Sequence, residues 1–163
     1  MRNLTEQEFN EKYLMYKDII YNIAYTYVHN QADADDISQD VFVKYLKSTE
    51  AFPTIDNEKY WIIRVTINTA KNYVTSSWKK RVVLDDEYVS NTSNVENNQE
   101  TIDYYKIITS LPNKYKEVIV LYYYEDLKIE EIACTLKVSI SCVKKRLERG
   151  RKKIKEEINH GRF

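Results

Sequence analysis

The stretch LKIEEIACTLKVSISCVKKRLERGRKKIKEEI, Leu127–Ile158, decides the fold of this chain. Ile129, Ile132, Ala133 and Leu136 recur at spacings of three and one or four, which puts them on one helical face. Lys137-Val138-Ser139 interrupts that pattern as a turn. Ser139 or Ser141 can then cap a second helix by accepting from its orphan backbone N–H groups. This second helix is expected to bury Ile140, Val143, Leu147 and Ile154. Its other faces carry Lys144, Lys145, Arg146, Arg149, Arg151, Lys152, Lys153 and Lys155, and Glu148 is the only acid from Lys137 to Lys155. Two helices across a tight turn, the second basic, form the pattern of a helix-turn-helix, whose second helix enters a DNA major groove. A basic helix can also be only a solvated surface. The turn, the small Ala133 and the onset of positive charge just past the turn together favour DNA. Two positions fit the motif poorly. Lys137 stands where Gly would adopt a positive φ more easily. Gly150 costs a helix interior about 1 kcal/mol relative to Ala.

The 163 residues suffice for one medium domain or two small ones. Basic and acidic residues number 25 each, but they are segregated along the chain, so a zero net charge says little. Two glycines and two prolines favour helices throughout. Cys134 and Cys142 are too few for a zinc site and suggest an intracellular, disulfide-free protein, with Cys134 expected buried or half-buried. No apolar run reaches membrane length, and the polar stretch Arg2 to Glu11 does not resemble a signal peptide.

Thr5 to about His29 reads as one long helix, with Thr5 and Glu8 forming a capping box. A second helix spans Ala32 to Leu46, with Ile37, Val41, Val43 and Leu46 inward and Phe42 and Tyr45 flanking them. Its opposite face carries Asp33, Asp36 and Asp40, near the helix start where acids favour the macrodipole. A third helix, Asn57 to Arg81, has Trp61, Ile62, Val65, Ala70, Tyr73 and Val74 as its apolar face. From Lys59 to Arg81 it contains no acid, and Tyr60, Trp61 and Trp78 interleave with its cations. Cations that follow phosphates, beside rings that stack on bases, suit single-stranded nucleic acid. Residues 82–100 form an acidic linker without Lys or Arg, expected to be flexible. They separate a domain at 1–81 from one at 101–163, whose four short helices include Asn113 to Glu125. The expected fold class is therefore all-α, two small helical domains joined by an acidic linker.

The order of these elements resembles a sigma-70 family RNA polymerase sigma factor of the small, extracytoplasmic-function type. Asp33 to Phe42 resembles the family's region 2.1–2.2, and Trp61 to Val74 resembles region 2.3–2.4. Leu111-Pro112 and Glu130 to Leu147 resemble region 4. Lys137, Ser141 and Gly150 depart from the Gly, Gly and Ala frequent in the family.

The resemblance implies a specificity subunit without catalysis, cofactor or metal, acting in the cytoplasm and not inserted in a membrane. Its partners would be core RNA polymerase, through the β′ clamp helices and the β flap, promoter DNA, and in some settings an anti-sigma factor. Asp35, Asp36, Gln39, Asp40 and Phe42 would dock on polymerase. Phe52, Lys59, Trp61, Arg64, Asn68, Lys71, Asn72, Trp78, Lys79, Lys80 and Arg81 would hold the melted −10 element. Ser141, Cys142, Lys144, Lys145, Arg146, Arg149 and Lys152 would bind the −35 duplex, with Arg146 and Lys152 on phosphates. The linker would run through the RNA exit channel. Three rivals compete: a dimeric regulator independent of polymerase, a metal-dependent enzyme using the carboxylates of Asp33–Asp40, and a sigma-like regulator that occupies polymerase without initiating.

Overall fold

The computed structural model describes residues 1–84 and 103–160, with side chains described through Ser77 in the first segment. Helix α1 is Glu6–Val28. Its start is the expected capping box: Glu8 N–H donates to Thr5 Oγ1 at 3.2 Å, and Thr5 N–H donates to Glu8 Oε2 at 2.7 Å. It stops at His29, whose left-handed backbone (φ 57°) turns the chain into α2, Gln31–Lys47. Asn30 caps α2 by accepting from Asp33 N–H at 2.8 Å. Helix α3 runs Ile55–Leu84, three residues past its expected end at Arg81. The rest of the expected linker, residues 85–100, lies outside the described residues.

These three helices enclose Ile20, Ile23 and Ala24 from α1, Ile37 and Val41 from α2, and Ile62, Ile63 and Ala70 from α3, all at most 1% exposed. Each large aliphatic buried this fully stabilises the fold by about 1.5–3 kcal/mol relative to exposure. One carboxylate shares that interior. Glu58 is 5% exposed and accepts from Tyr45 Oη at 2.6 Å, Tyr16 Oη at 2.8 Å and Lys12 Nζ at 2.6 Å. Burial alone would raise its pKa, but the bonds from Lys12, Tyr45 and Tyr16 outweigh it and hold the carboxyl below its ordinary value. One buried acid thereby ties α1, α2 and α3 together.

The second bundle comprises α4 (Tyr104–Ser110), α5 (Asn113–Tyr123), α6 (Ile129–Leu136) and α7 (Ile140–Asn159). Ile107, Val118, Ile119, Leu121, Ile132, Val143 and Leu147 form its core. Lys137 ends α6 with φ 56° and ψ 45°, the left-handed conformation that Gly would have eased. Ser139, rather than Ser141, caps α7, accepting from Cys142 N–H at 3.0 Å. Gly150 has a packing reason: a Cβ there would lie 3.1 Å from Ile119 Cγ1 and 3.5 Å from Tyr115 Cβ. The missing side chain lets α7 approach α5 closely.

Several inward–outward expectations change. In α2, Phe42 is 7% exposed and packs its ring against Phe9 and Tyr13, while Val43 is 44% exposed. The core stripe of α2 therefore includes 34, 37, 41, 42 and 45, and excludes 43. Ile140 is exposed because it sits at the first turn of α7, ahead of the buried Val143–Leu147 row. Val74 is exposed, and so is Cys134, which lies on the outer side of α6. No described helix is long and apolar enough to cross a membrane.

Candidate nucleic-acid interface

Helix α7 offers the first surface. Its buried row is Val143, Leu147 and Gly150. At 3.6 residues per turn, Ser141, Lys145, Arg149 and Lys152 fall on the opposite side, and all four are exposed. Lys144 is exposed on one flank, and Arg146 and Cys142 are half-buried on the other. On that second flank Ser141, Cys142, Lys145, Arg146 and Arg149 line a shallow concavity together with Lys114 and Tyr115 of α5. Lys114 has no signal in its local sequence, because only the fold brings the start of α5 beside the start of α7. Arg151 faces elsewhere, donating to Tyr123 Oη at 2.7 Å and lying over the rings of Tyr122 and Tyr123.

Helix α3 offers the second surface. Trp61, Arg64, Asn68 and Asn72 recur at three and four, so they share one face. Asn68 and Asn72 are exposed, and Trp61 and Arg64 are half-buried. Lys71 lies at the edge of this face. Lys59 does not lie on it: nine positions separate it from Asn68, about two and a half turns, so it points the opposite way. The side chains of Trp78, Lys79, Lys80 and Arg81 lie outside the described residues, although their backbone continues α3.

The loop before α3 carries Phe52, whose ring centroid is 5.6 Å from that of Trp61. Arg2 holds this loop, a role its sequence position gives no hint of. It donates to Tyr45 O at 3.1 Å and Glu50 O at 2.6 Å, and its guanidinium lies 4.5 Å from the centre of the Phe52 ring. Phe52 and Trp61 thus form a paired aromatic platform beside the polar face of α3.

Helix α2 offers a third, acidic surface. Asp35, Asp36, Gln39 and Asp40 are exposed, and Asp40 pairs with Lys44 at 3.2 Å. Exposed Val43 lies among Asp36, Gln39 and Asp40 on the same side. Phe42, expected on this surface, points into the core instead, so its contribution is to fix α2 in place. Asp33 is occupied internally, accepting from Tyr73 Oη at 2.7 Å and Asn30 Nδ2 at 2.7 Å. Among the described residues, no three His, Cys, Asp or Glu side chains converge to hold a metal ion.

Two helical bundles, one presenting a basic helix-turn-helix and the other an aromatic and polar helix beside an acidic one, define a two-part DNA-binding transcription protein. Comparison with known proteins is specific. Residues 13–80 match Sigma-70 region 2, and residues 102–154 match Sigma-70 region 4. RNA polymerase sigma factor SigV of Bacillus subtilis is 32% identical over 143 residues, covering 88% of this chain and 86% of its own length. ECF RNA polymerase sigma factor SigW of the same organism is 26% identical, with 88% and 85% covered. Two solved structures share the fold. Sigma factor RpoE of Bartonella quintana, in complex with the anti-sigma factor NepR, superposes with a TM-score of 0.69 at 20% identity, covering 94% of this chain and 98% of its own. CnrH in complex with the cytosolic domain of CnrY gives 0.68 at 18% identity, with 96% and 90% covered. The chain belongs to the sigma-70 family of RNA polymerase sigma factors. It is an alternative sigma factor, a subunit that binds core polymerase and directs transcription initiation at promoters.

Proposed function

We propose a division of labour among the three surfaces. Helix α7 reads the −35 duplex: Ser141, Lys145 and Arg149 face base edges, while Lys144, Arg146 and Lys152 hold phosphates and set register. Cys142 and Lys114 border the same concavity, and Lys114 extends the phosphate track. The Phe52–Trp61 platform and the Arg64, Asn68, Lys71 and Asn72 side of α3 hold the melted −10 strand. Unstacking a base costs a few kcal/mol, which ring stacking and cationic contacts offset. The exposed acids of α2, with Val43 among them, dock on the β′ clamp helices, and the C-terminal domain meets the β flap. Residues 1–81 and 101–163 are the two working units. The chain supplies recognition, with no catalytic step of its own, and it acts in the cytoplasm where polymerase and promoters meet.

The observation that carries this reading is the set of four exposed residues, Ser141, Lys145, Arg149 and Lys152, aligned along α7 opposite its buried row. Run-off transcription with purified core polymerase, with and without the chain, on a promoter library tests it. Transcripts that require the chain support it. Stable polymerase binding without transcripts would point to a sigma-like regulator, and DNA binding without polymerase binding would point to an independent regulator.

A further inference from the structure

A cavity of about 670 Å³ opens between α1, the start of α2, α4 and the end of α5. Its size falls within the few hundred to about 1,000 Å³ typical of small-molecule sites. No lining residue belongs to the surfaces assigned above to the −35 duplex, the −10 strand or polymerase. Tyr21, Tyr25 and His29 recur at four along α1 and its C-terminal cap, so one helical face supplies one wall. Tyr105 of α4, with Tyr124 and Glu125 just past α5, supplies the facing wall. The rings of Tyr21 and Tyr25 stack with centroids 6.0 Å apart, and Tyr105 continues the row at 6.3 Å from Tyr25. The four tyrosine hydroxyls and the Glu125 carboxylate form no hydrogen bond among the described residues, so they are available to a guest.

Charge around these rings is uneven. Asp35 lies within electrostatic reach of Tyr21, Asp103 of Tyr105, and Asp126 of Glu125. Glu125 is half-buried, and burial raises its carboxyl above the ordinary value, with Lys59 acting against that. Burial and nearby Lys116 lower the His29 imidazole, so it is neutral at pH 7 and adds no cation. Lys116 itself is occupied, bonded to Thr26 O at 3.4 Å and lying 4.0 Å from the centre of the Tyr27 ring. Aromatic faces are electron-rich, so four tyrosines beside a half-buried acid favour a positive guest, whereas an anion would meet Glu125 and its neighbouring aspartates. We infer that this cavity binds a small organic cation, an ammonium ion carrying a flat apolar group, with the tyrosine rings holding its body and Glu125 facing its charge. Such a ligand leaves the exposed faces of α2, α3 and α7 uncovered. The chain is then a receptor for a small molecule as well as a promoter-recognition subunit.

The test is isothermal titration of the full chain with three probes: benzyltrimethylammonium, its neutral near-isostere benzyldimethylcarbinol, and the anion benzenesulfonate. The cation should bind roughly fivefold to thirtyfold more tightly than the alcohol, and the sulfonate most weakly. Glu125→Gln keeps the side-chain volume and removes the charge. It should weaken the cation roughly threefold or more and leave the alcohol unchanged. Tyr124 is 51% exposed, so Tyr124→Leu removes a ring with little cost to folding and should weaken the cation by a similar factor. Glu156→Gln, at an exposed acid of α7 outside the cavity, should change nothing. Absence of cation binding, equal affinity for the cation and the alcohol, or tighter binding of the sulfonate would overturn the inference. So would a cation affinity that Glu125→Gln and Tyr124→Leu leave intact, or one that Glu156→Gln lowers as much as Glu125→Gln does.

Discussion

Helices α3 and α7 are the two basic helices with candidate DNA-binding faces, yet they meet their surroundings in opposite ways. Helix α7 packs on α5 and α6 by one row, Val143, Leu147 and Gly150, and leaves Lys144, Lys145, Arg149 and Lys152 to solvent. Helix α3 buries Ile62, Ile63, Thr66 and Ala70 against α1 and α2. On another side it meets α6, and its Lys71 is paired with Glu117. A count of Lys and Arg does not distinguish the two. What distinguishes them is how many sides the fold covers, and whether the covering residues are acids. Lys144, Lys145, Arg149 and Lys152 of α7 stand exposed, whereas Lys71 of α3 is held by a buried carboxylate.

The largest expected effect breaks the anchorage of α3. Glu58→Ala leaves the Tyr16 and Tyr45 hydroxyls and Lys12 without their acceptor and should cost about 3 kcal/mol of stability in a urea melt. The same group sets an acid dependence. Its pKa is lower folded than unfolded, so its contribution is complete above the unfolded value and is lost as pH falls through the folded one. Glu58→Gln should flatten that part of the stability–pH curve.

The next effect separates α7 from α3. Lys145→Glu with Arg149→Glu should weaken binding to −35 duplex by about tenfold or more, because two base-facing cations give way to acids that the nearby phosphates repel. Both side chains are exposed, so the thermal midpoint should stay put. An equal loss of single-strand binding would erase the distinction between the helices. On the third surface, Asp36→Lys with Asp40→Lys should reduce co-purification with core polymerase while leaving duplex binding intact.

The smallest effects concern the frame of α7. Lys137→Gly should stabilise the chain by about 1 kcal/mol, since it removes a left-handed non-glycine residue. Gly150→Ala gains about 1 kcal/mol of helix propensity. It also forces Ile119 to yield a few tenths of an ångström, so a net loss in the melt is expected.

The seven-helix order among the described residues is largely legible in the sequence, because few breakers interrupt strong 3.6-residue periodicity. Thr5 with Glu8, and Ser139, carry their caps as readable signals. What stays illegible depends on distant packing. Helical spacing alone sets Val43 about 200° from Val41, outside the core stripe, but it takes the Phe9 and Tyr13 rings to draw Phe42, at the edge of that stripe, inward. Arg2 reaches the Phe52 loop, and Lys114 reaches the start of α7, across gaps that no local pattern spans. Gly150 reads as a weakness until Ile119 and Tyr115 are seen against it. Lys59 and Lys71 look equivalent in composition, yet they point different ways around α3.

Run-off transcription from a promoter pool randomised across both elements tests the division between α7 and α3 most directly. The chain with Lys145→Gln should select the same −10 sequences as the unaltered chain and lose preference only at the −35 element. Loss of preference at both elements together, or an unchanged −35 preference, would contradict the assignment of the two helices to separate parts of the promoter.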